Sequence, residues 1–240
     1  MSFKAALVQM RSGREMARNL KNASDMIRDA QSRGAQFVTT PEMTNIIEPD
    51  RDRLKAVAQS EDEDQSVRGF GLLAHSLGIW LNVGSLALKG TSDKLVNRSL
   101  LFAPDGTIAA RYDKIHLFDV DLPNGEVWRE SHAYETGGRV CLSRLPWATL
   151  GMTICYDVRF PELYGELGRQ GADIITVPSA FTVPTGEAHW HVLLRARAIE
   201  TGSFVLAAAQ GGRHESGRET FGHSLAVSPW GEVIAEAGTE

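Results

Sequence analysis

The chain has 240 residues, of which 42% are hydrophobic and 23% charged, and its formal net charge is −5. These fractions are close to those of soluble globular proteins and argue against a disordered, fibrous or membrane-spanning class. No basic stripe is available for phosphates, so we expect a small-molecule partner, no nucleic acid and no membrane. Only two cysteines occur, Cys141 and Cys155, which predicts a reducing, cytoplasmic location rather than a disulfide framework, and no structural zinc site.

The first half of the chain alternates between strand and helix patterns. Apolar periodicity predicts strands over 3–9, 36–40 and 79–87, with a helix after Ser12 that runs to Gly34 and another over 67–77. Two further strands, 97–103 and 107–112, are joined by a hairpin turn at 104–106.

The second half begins with residues 118–140, which are rich in Asp, Glu, Gly and Pro and predict a long irregular loop. The patterns that follow predict a strand over 147–154, a helix over 161–170, a strand over 173–177, a helix over 189–201, a strand over 204–209 and a hairpin of 222–228 with 232–237. This order predicts an α/β protein with a mixed sheet and a single domain over residues 1–240. Because the chain stops after a predicted strand, a continuation beyond residue 240 stays open.

Cys155 lies where a predicted strand turns into a helix that begins at Pro161. Backbone N–H groups and the positive end of a helix favour a thiolate there and offer donors for an oxyanion. Taken singly, a cysteine is more often a small buried hydrophobe. Glu42 and Lys114 also follow predicted strands, but either of them alone reads as an ordinary cap or surface charge.

Together these segments resemble the nitrilase superfamily of carbon-nitrogen hydrolases, whose members carry a glutamate, a lysine and a cysteine in this order. The resemblance covers nearly the whole chain and is closest to the Nit subgroup. The matching segments are Lys114-Ile115-His116-Leu117-Phe118-Asp119, Cys155-Tyr156-Asp157-Val158-Arg159-Phe160-Pro161-Glu162, and Gly222-His223-Ser224 before Pro229-Trp230-Gly231. Within the subgroup the chain looks most like the branch that acts on deaminated glutathione, with the ω-amidases as its sister branch.

The resemblance implies an α-β-β-α sandwich with mixed sheets, a homodimer or higher oligomer, and an amidase that works without a cofactor or metal. It makes Cys155 the nucleophile that forms a thioester, Glu42 the general base that passes the proton to departing ammonia, and Lys114 an oxyanion donor together with the Tyr156 N–H. It also makes Glu130 the partner that holds Lys114. The general-base role of Glu42 works best if burial raises its pKa toward the working pH.

The substrate contacts that we expect come from Tyr156, Arg159, Phe181 and His189. A guanidinium can donate two parallel hydrogen bonds to the oxygens of a carboxylate. Arg159 and Arg213 are therefore candidates for binding a substrate carboxylate. A structural ion pair explains either arginine equally well.

Three other interpretations stay open. A papain-like enzyme would pair Cys155 with His116, His189 or His223. A metal at His214 and His223 with Glu215 fits no common spacing, and solvated loop residues explain these side chains better. The third is a binding protein of the same fold without catalytic activity. The presence of all three residues, Glu42, Lys114 and Cys155, argues against it.

Overall fold

The computed structural model describes residues 3–122 and 125–239. In its first half the elements are β1 Ala5–Leu7, α1 Met16–Ser32, β2 Phe37–Thr39, α2 Arg51–Val57, α3 Gln65–Leu77, β3 Trp80–Lys89, β4 Leu95–Phe102 and β5 Ile108–Asp113. The strands of this half form one sheet in the order β1-β2-β3-β4-β5. Its first three strands are parallel and its last three antiparallel, so the sheet is mixed.

The second half opens with a small hairpin and continues into a second mixed sheet. Its elements are β6 Asp119–Asp121, β7 Val127–Arg129, β8 Cys141–Arg144, β9 Thr149–Met152, α4 Pro161–Arg169, β10 Ile174–Thr176, α5 Val183–Thr201, β11 Phe204–Ala207, β12 Gly211–Arg213, β13 Glu219–Phe221, β14 Leu225–Val227 and β15 Val233–Glu236. The second sheet has the order β15-β14-β11-β10-β9-β8, while β6 pairs with β7 and β12 with β13 outside it.

The two sheets pack face to face, with helices on the outside. Successive side chains of a strand point to opposite faces, and in β4 Leu100 and Phe102 pack against α1 and α3. Leu101, between them, packs into the cluster that holds the second sheet, α4 and α5. The layers are therefore α1/α3, first sheet, second sheet and α4/α5, which confirms the predicted α-β-β-α sandwich.

The predicted strands and helices are found in the described residues, with shifted ends, but the long loop predicted over 118–140 is wrong in part. The hairpin β6–β7 lies inside it, followed by a 3₁₀ turn over Glu130–His132, while positions 123 and 124 lie outside the described residues. Helix α5 begins six residues earlier than predicted because Pro184 is tolerated in a first helical turn. The patterns also missed α2, β8 and the β12–β13 hairpin, which are too short for a clear period.

None of the described helices is long and apolar enough to cross a lipid bilayer.

Candidate active site

The predicted glutamate, lysine and cysteine meet between the two sheets. Glu42 follows β2, Lys114 follows β5 and Cys155 follows β9, so three strand ends deliver them. Their exposed fractions are 4%, 2% and 7%. All three line one cavity of about 300 Å³.

Lys114 is held between two carboxylates. Its Nζ donates to Glu42 Oε1 at 2.8 Å and to Glu130 Oε2 at 2.9 Å. Glu130 is fixed in turn by the backbone N–H of Phe118, 2.7 Å from Oε2. Glu130 thus contacts the ammonium and is itself held in place, while its role in catalysis stays a prediction.

Asn97 supports the same ion pair and was missed by the sequence reasoning. Its Nδ2 lies 2.9 Å from Glu42 Oε1 and 3.1 Å from Glu130 Oε1. It is 1% exposed near the start of β4, between Val96 and Arg98. A buried amide needs hydrogen-bond partners, but the polar neighbours Arg98 and Ser99 leave no sequence signal that distinguishes Asn97.

The other oxygen of Glu42 is held by the second half of the molecule. The backbone N–H of Ala180 donates to Glu42 Oε2 at 3.0 Å, and the side chain of Gln210 donates to the Glu42 carbonyl at 2.9 Å. The carboxylate is therefore fixed in one orientation before any substrate binds.

Cys155 lies in a tight turn with a left-handed backbone, φ 50°. A non-glycine residue rarely adopts this conformation, and such outliers cluster at functional sites. Its N–H donates to Pro178 O at 2.9 Å, so this group is already used. A 3₁₀ helix over Cys155–Arg159 begins here, and the first N–H groups of a helix have no partner inside it. This leaves the Tyr156 N–H as the candidate oxyanion donor.

The turn is held by Asp157, which is completely buried. Its Oδ2 accepts from the Tyr112 hydroxyl at 2.7 Å and from the Ile154 N–H at 2.9 Å. Its Oδ1 accepts from the His116 N–H at 3.0 Å and lies 2.7 Å from the His116 ring. Four contacts to two strand ends thus set the position of the neighbouring Cys155.

Burial, together with the Glu42 charge, raises the pKa of the Cys155 thiol, although Lys114 acts in the opposite direction. The predicted preference for a resting thiolate is therefore wrong. Helix-end donors do not offset the loss of water around a fully enclosed sulfur. The thiol instead stays protonated in the resting site.

Burial alone would raise the pKa of Glu42, but Lys114 and the hydrogen bonds to it and to Cys155 outweigh burial and lower the pKa. The expectation that burial raises this pKa is wrong for the resting site. Burial alone would likewise lower the pKa of Lys114, but Glu130 and Glu42 raise it well above its usual value. At neutral pH the site holds a carboxylate, an ammonium and a neutral thiol.

The residues predicted to bind substrate separate into two pairs. Tyr156 and Phe181 line the cavity, whereas Arg159 and His189 are absent from its described wall. The guanidinium carbon of Arg159 lies 5.7 Å from the centroid of the Tyr156 ring and 5.9 Å from the centroid of the Phe181 ring. Its Nη2 is 3.2 Å from Nδ1 of the exposed His189. Substrate contact by these four residues stays a prediction.

The histidines of the alternative interpretations bond elsewhere. The His116 ring stacks on Phe160 with centroids 3.6 Å apart. His223 and His191 both contact Glu236 Oε1, at 2.7 and 2.8 Å. In the part of the chain that the structure describes, no histidine lines the cavity at Cys155, so a papain-like pair is not formed.

His214 is buried, which corrects its interpretation as a solvated loop residue. Its Nδ1 donates to Ser12 O at 2.8 Å, and its Nε2 lies 2.7 Å from the Thr220 hydroxyl. Burial lowers its pKa to about 4. The grouping of His214 with His223 that the disfavoured metal interpretation would need does not form, since His223 meets His191 and Glu236.

The comparisons with known proteins agree with this geometry. The chain matches the profile described as carbon-nitrogen hydrolase over residues 4–240. It is 44% identical over 237 residues to the deaminated glutathione amidase of Yersinia enterocolitica, covering 96% of this chain and 81% of that protein.

Two solved structures are similar throughout the chain. The NitFhit protein of Caenorhabditis elegans has a TM-score of 0.91 and 37% identity; the match covers 98% of this chain but spans only 57% of that protein. Nit3 of Saccharomyces cerevisiae, a member of branch 10 of the nitrilase superfamily, has a TM-score of 0.89 and 31% identity over 99% of this chain and 86% of that one. The chain therefore belongs to the carbon-nitrogen hydrolase family.

Proposed function

We propose that the protein is an amidase that cleaves the C–N bond of a small carboxylated amide through a thioester at Cys155, with deaminated glutathione as its substrate. The observation that carries this proposal is that Cys155, Glu42 and Lys114 line one buried cavity, where the Lys114 ammonium bridges Glu42 and Glu130. The amidase from Yersinia enterocolitica, 44% identical, supports the substrate.

The first step follows from the protonation states of the resting site. Glu42 takes the thiol proton as Cys155 Sγ attacks the amide carbon, so base and nucleophile act together. The tetrahedral oxyanion is stabilised by the Lys114 ammonium and the Tyr156 N–H. An ammonium that is already oriented in a site with little water needs no reorganisation when the charge develops.

The remaining steps return the site to its resting state. The protonated Glu42 gives its proton to the leaving nitrogen, the C–N bond breaks and a thioester remains on Cys155. Glu42 then removes a proton from water and the hydroxide attacks the thioester carbon. The C–S bond breaks, the carboxylic acid is released, and Glu42 returns the proton to Cys155 Sγ. The leaving group depends on the substrate. A primary amide releases ammonia, as first expected, whereas deaminated glutathione releases the amine of a dipeptide.

The test is a panel of substrates: deaminated glutathione, 2-oxoglutaramate, butyramide, an N-carbamoyl amino acid and a nitrile. Highest kcat/KM on deaminated glutathione is the expected result, and preference for 2-oxoglutaramate would identify an ω-amidase instead. Activity confined to nitriles or carbamoyl compounds contradicts the proposal.

Cysteine variants separate catalysis from folding. Cys155→Ala should lose turnover while keeping its circular dichroism spectrum, whereas Cys141→Ala is the matched control. Cys141 lies on β8, with its sulfur 3.7 Å from Met152 Sδ, and is absent from the described cavity wall. Full activity in Cys155→Ala, or complete loss in a folded Cys141→Ala, contradicts the mechanism.

We also infer that the chain forms a homodimer through α5 and the β14–β15 hairpin. Large apolar side chains are exposed on these elements: Val192 at 68%, Ile199 at 57%, Trp230 at 89% and Ile234 at 53%. Exposed apolar surface of this kind marks interaction sites. Light scattering after gel filtration should give a dimer for the wild type and a monomer for Trp230→Glu, and a monomeric wild type contradicts the inference.

The expected cytoplasmic location is likewise a proposal. Both described cysteines are free, and the proposed nucleophile needs a reduced sulfur. Cell fractionation with an antibody to the chain tests it, and recovery in an oxidising compartment contradicts it.

A further inference from the structure

Arg218 reaches the cavity from a part of the chain that plays no role in the mechanism above. It lies in the turn between β12 and β13, immediately before Glu219. Its Nη2 donates to Ala180 O at 2.6 Å, and its guanidinium carbon lies 4.9 Å from the centroid of the Trp128 ring. Arg218 and Trp128 both line the cavity. The guanidinium is therefore held over the Trp128 ring at the cavity wall.

The carboxylates that line the cavity all form ion pairs with cationic side chains other than Arg218. Glu42 and Glu130 share Lys114. Glu48 is paired with Arg14 at 3.2 Å and with Arg53 at 3.1 Å. The negative groups of the described wall are therefore ion-paired with partners other than Arg218, whose charge acts on Glu42 only from a greater distance and helps to lower its pKa.

The other arginines of the described wall are also engaged. Arg129 pairs with Asp121 at 2.7 Å, and the exposed Arg51 lies 3.1 Å from the His132 ring. Arg218 has no carboxylate within ion-pair distance among the described residues, and its Nε is buried without a hydrogen-bond partner there. A guanidinium has five donors, so most of those on Arg218 remain available.

The position of Arg218 relative to the reacting groups suits a ligand with two ends. Ala180 accepts from Arg218 through its carbonyl oxygen and donates to Glu42 through its N–H. Arg218 and the Glu42 carboxylate thus bind the two backbone groups of one residue. Cys155 and Arg218 line the same cavity, so one ligand can face both the thiol and the guanidinium.

We propose that Arg218 binds a carboxylate of the substrate and thereby selects amides that carry a second, negatively charged end. The inference rests on the proposed amidase function and assigns the anchor for the carboxylate in it. Planar, bidentate recognition of a carboxylate is the contact for which a guanidinium is best suited.

The kinetic test uses two amides of equal length, succinamate and butyramide, which differ by a carboxylate in place of a methyl group. The quantity measured is the ratio of their kcat/KM values, which should favour succinamate in the wild type. Arg218→Gln should lower this ratio about 10- to 100-fold, mainly through KM for succinamate, because charge-assisted hydrogen bonds are lost. Arg218→Lys keeps the positive charge but lacks the two parallel N–H donors of the guanidinium, so its kcat/KM ratio should lie between those of Arg218→Gln and the wild type.

Arg213→Gln is the matched control, since Arg213 lies on the same hairpin, is exposed and is absent from the described cavity wall. Its ratio should equal that of the wild type. If Arg218→Gln lowers kcat equally for both amides, Arg218 only positions Ala180 and the proposal is overturned. Collapse of the ratio in Arg159→Gln, with Arg218→Gln unchanged, also overturns it.

A binding measurement separates this inference from the proposed reaction. Succinate binding to Cys155→Ala, measured by calorimetry, needs no turnover and should weaken at least about 10-fold when Arg218→Gln is added. Unchanged binding overturns the assignment even if amides are hydrolysed. If the wild type hydrolyses no amide but succinate binding still depends on Arg218, the proposed reaction fails and the anion site stands.

Discussion

The Lys114 ammonium lies 2.8 Å from the Glu42 carboxylate, and the two side chains are only 2% and 5% exposed. Neither charge is stable in the interior without the other, since removing one partner of a buried ion pair leaves an uncompensated charge. The pair that prepares the site for catalysis also makes the fold sensitive to pH.

Lys114→Met should therefore destabilise the protein more as pH rises from 3 to 7. In the wild type the pKa of Glu42 is lowered, so its carboxylate stabilises the fold at pH values above 4.5, and this stabilisation is lost as the pH falls. The pKa of Lys114 is raised, so its ammonium stabilises the fold at pH values below 10.5, and this stabilisation is lost only as the pH rises further. Without Lys114, burial raises the Glu42 pKa, so that ionisation becomes unfavourable. The difference in unfolding free energy from urea titrations should reach about 3–5 kcal/mol at pH 7.

The control for this prediction is Lys21→Met. Lys21 pairs with Asp25 at 2.7 Å on the exposed surface of α1. Such a pair contributes about 0.3–0.5 kcal/mol. A pH-independent difference for Lys114→Met would show that Glu42 does not depend on Lys114 for its charge.

Glu42→Gln should block formation of the thioester rather than its hydrolysis. Because the Cys155 thiol is protonated at rest, attack requires a base, and general-base catalysis typically contributes about 10²–10⁴-fold. Mass spectrometry of a rapidly quenched reaction should show no acyl adduct in this variant. Accumulation of the adduct would mean that Glu42 acts only in hydrolysis of the thioester.

Glu48→Gln is the matched control, because Glu48 is another buried carboxylate of the same cavity wall but pairs with Arg14 and Arg53. This variant should still form the adduct. Its failure to do so while folded would remove the specific role given to Glu42.

Asp157→Asn should both destabilise the fold and reduce kcat. The new amide group faces donors from Tyr112, Ile154 and His116, so at least one contact becomes repulsive. Loss of a charged acceptor with several buried donors should cost about 2–4 kcal/mol. Tyr112→Phe removes one donor and leaves the carboxylate, so it should cost about 1 kcal/mol. Equal stability of the two variants in urea would contradict the central role of Asp157.

Stability should also fall in acid because of His214. Its folded pKa of about 4 lies below the usual 6.5, so the stability that the neutral ring contributes is complete above 6.5 and is lost as pH falls toward 4. Across this window the wild type should lose up to about 3 kcal/mol relative to His214→Gln. Parallel pH profiles for the two proteins, measured by urea unfolding, would show that His214 is not neutral and buried in solution.

Apolar periodicity located the strand ends after which Glu42, Lys114 and Cys155 stand. The resemblance to carbon-nitrogen hydrolases then identified these residues as one site and implied the α-β-β-α order of layers. The alternation of strands and helices by itself predicted only an α/β protein with a mixed sheet. These are local properties, which depend on a few consecutive residues.

Asn97 and Arg218 carry weaker local signals. Asn97 is the first of three consecutive polar residues in β4, and Arg218 stands among other charged residues of a turn. Their importance comes from their tertiary surroundings. Asn97 contacts the carboxylates of Glu42 and Glu130, and Arg218 lines the cavity. The choice between Arg159 and Arg218 as the cation on the cavity wall cannot be made from neighbouring residues.

The sequence determined which groups are present near the centre and in what order the chain delivers them. Their protonation was decided by tertiary packing, which encloses Cys155 and raises its pKa, and which brings Lys114 close enough to lower that of Glu42. Burial and Coulomb attraction depend on residues that are distant in the chain, 72 positions apart for Lys114 and Glu42, so no short stretch of sequence contains them. Folding thus turns a cysteine, a glutamate and a lysine into a protonated nucleophile beside an ionised base.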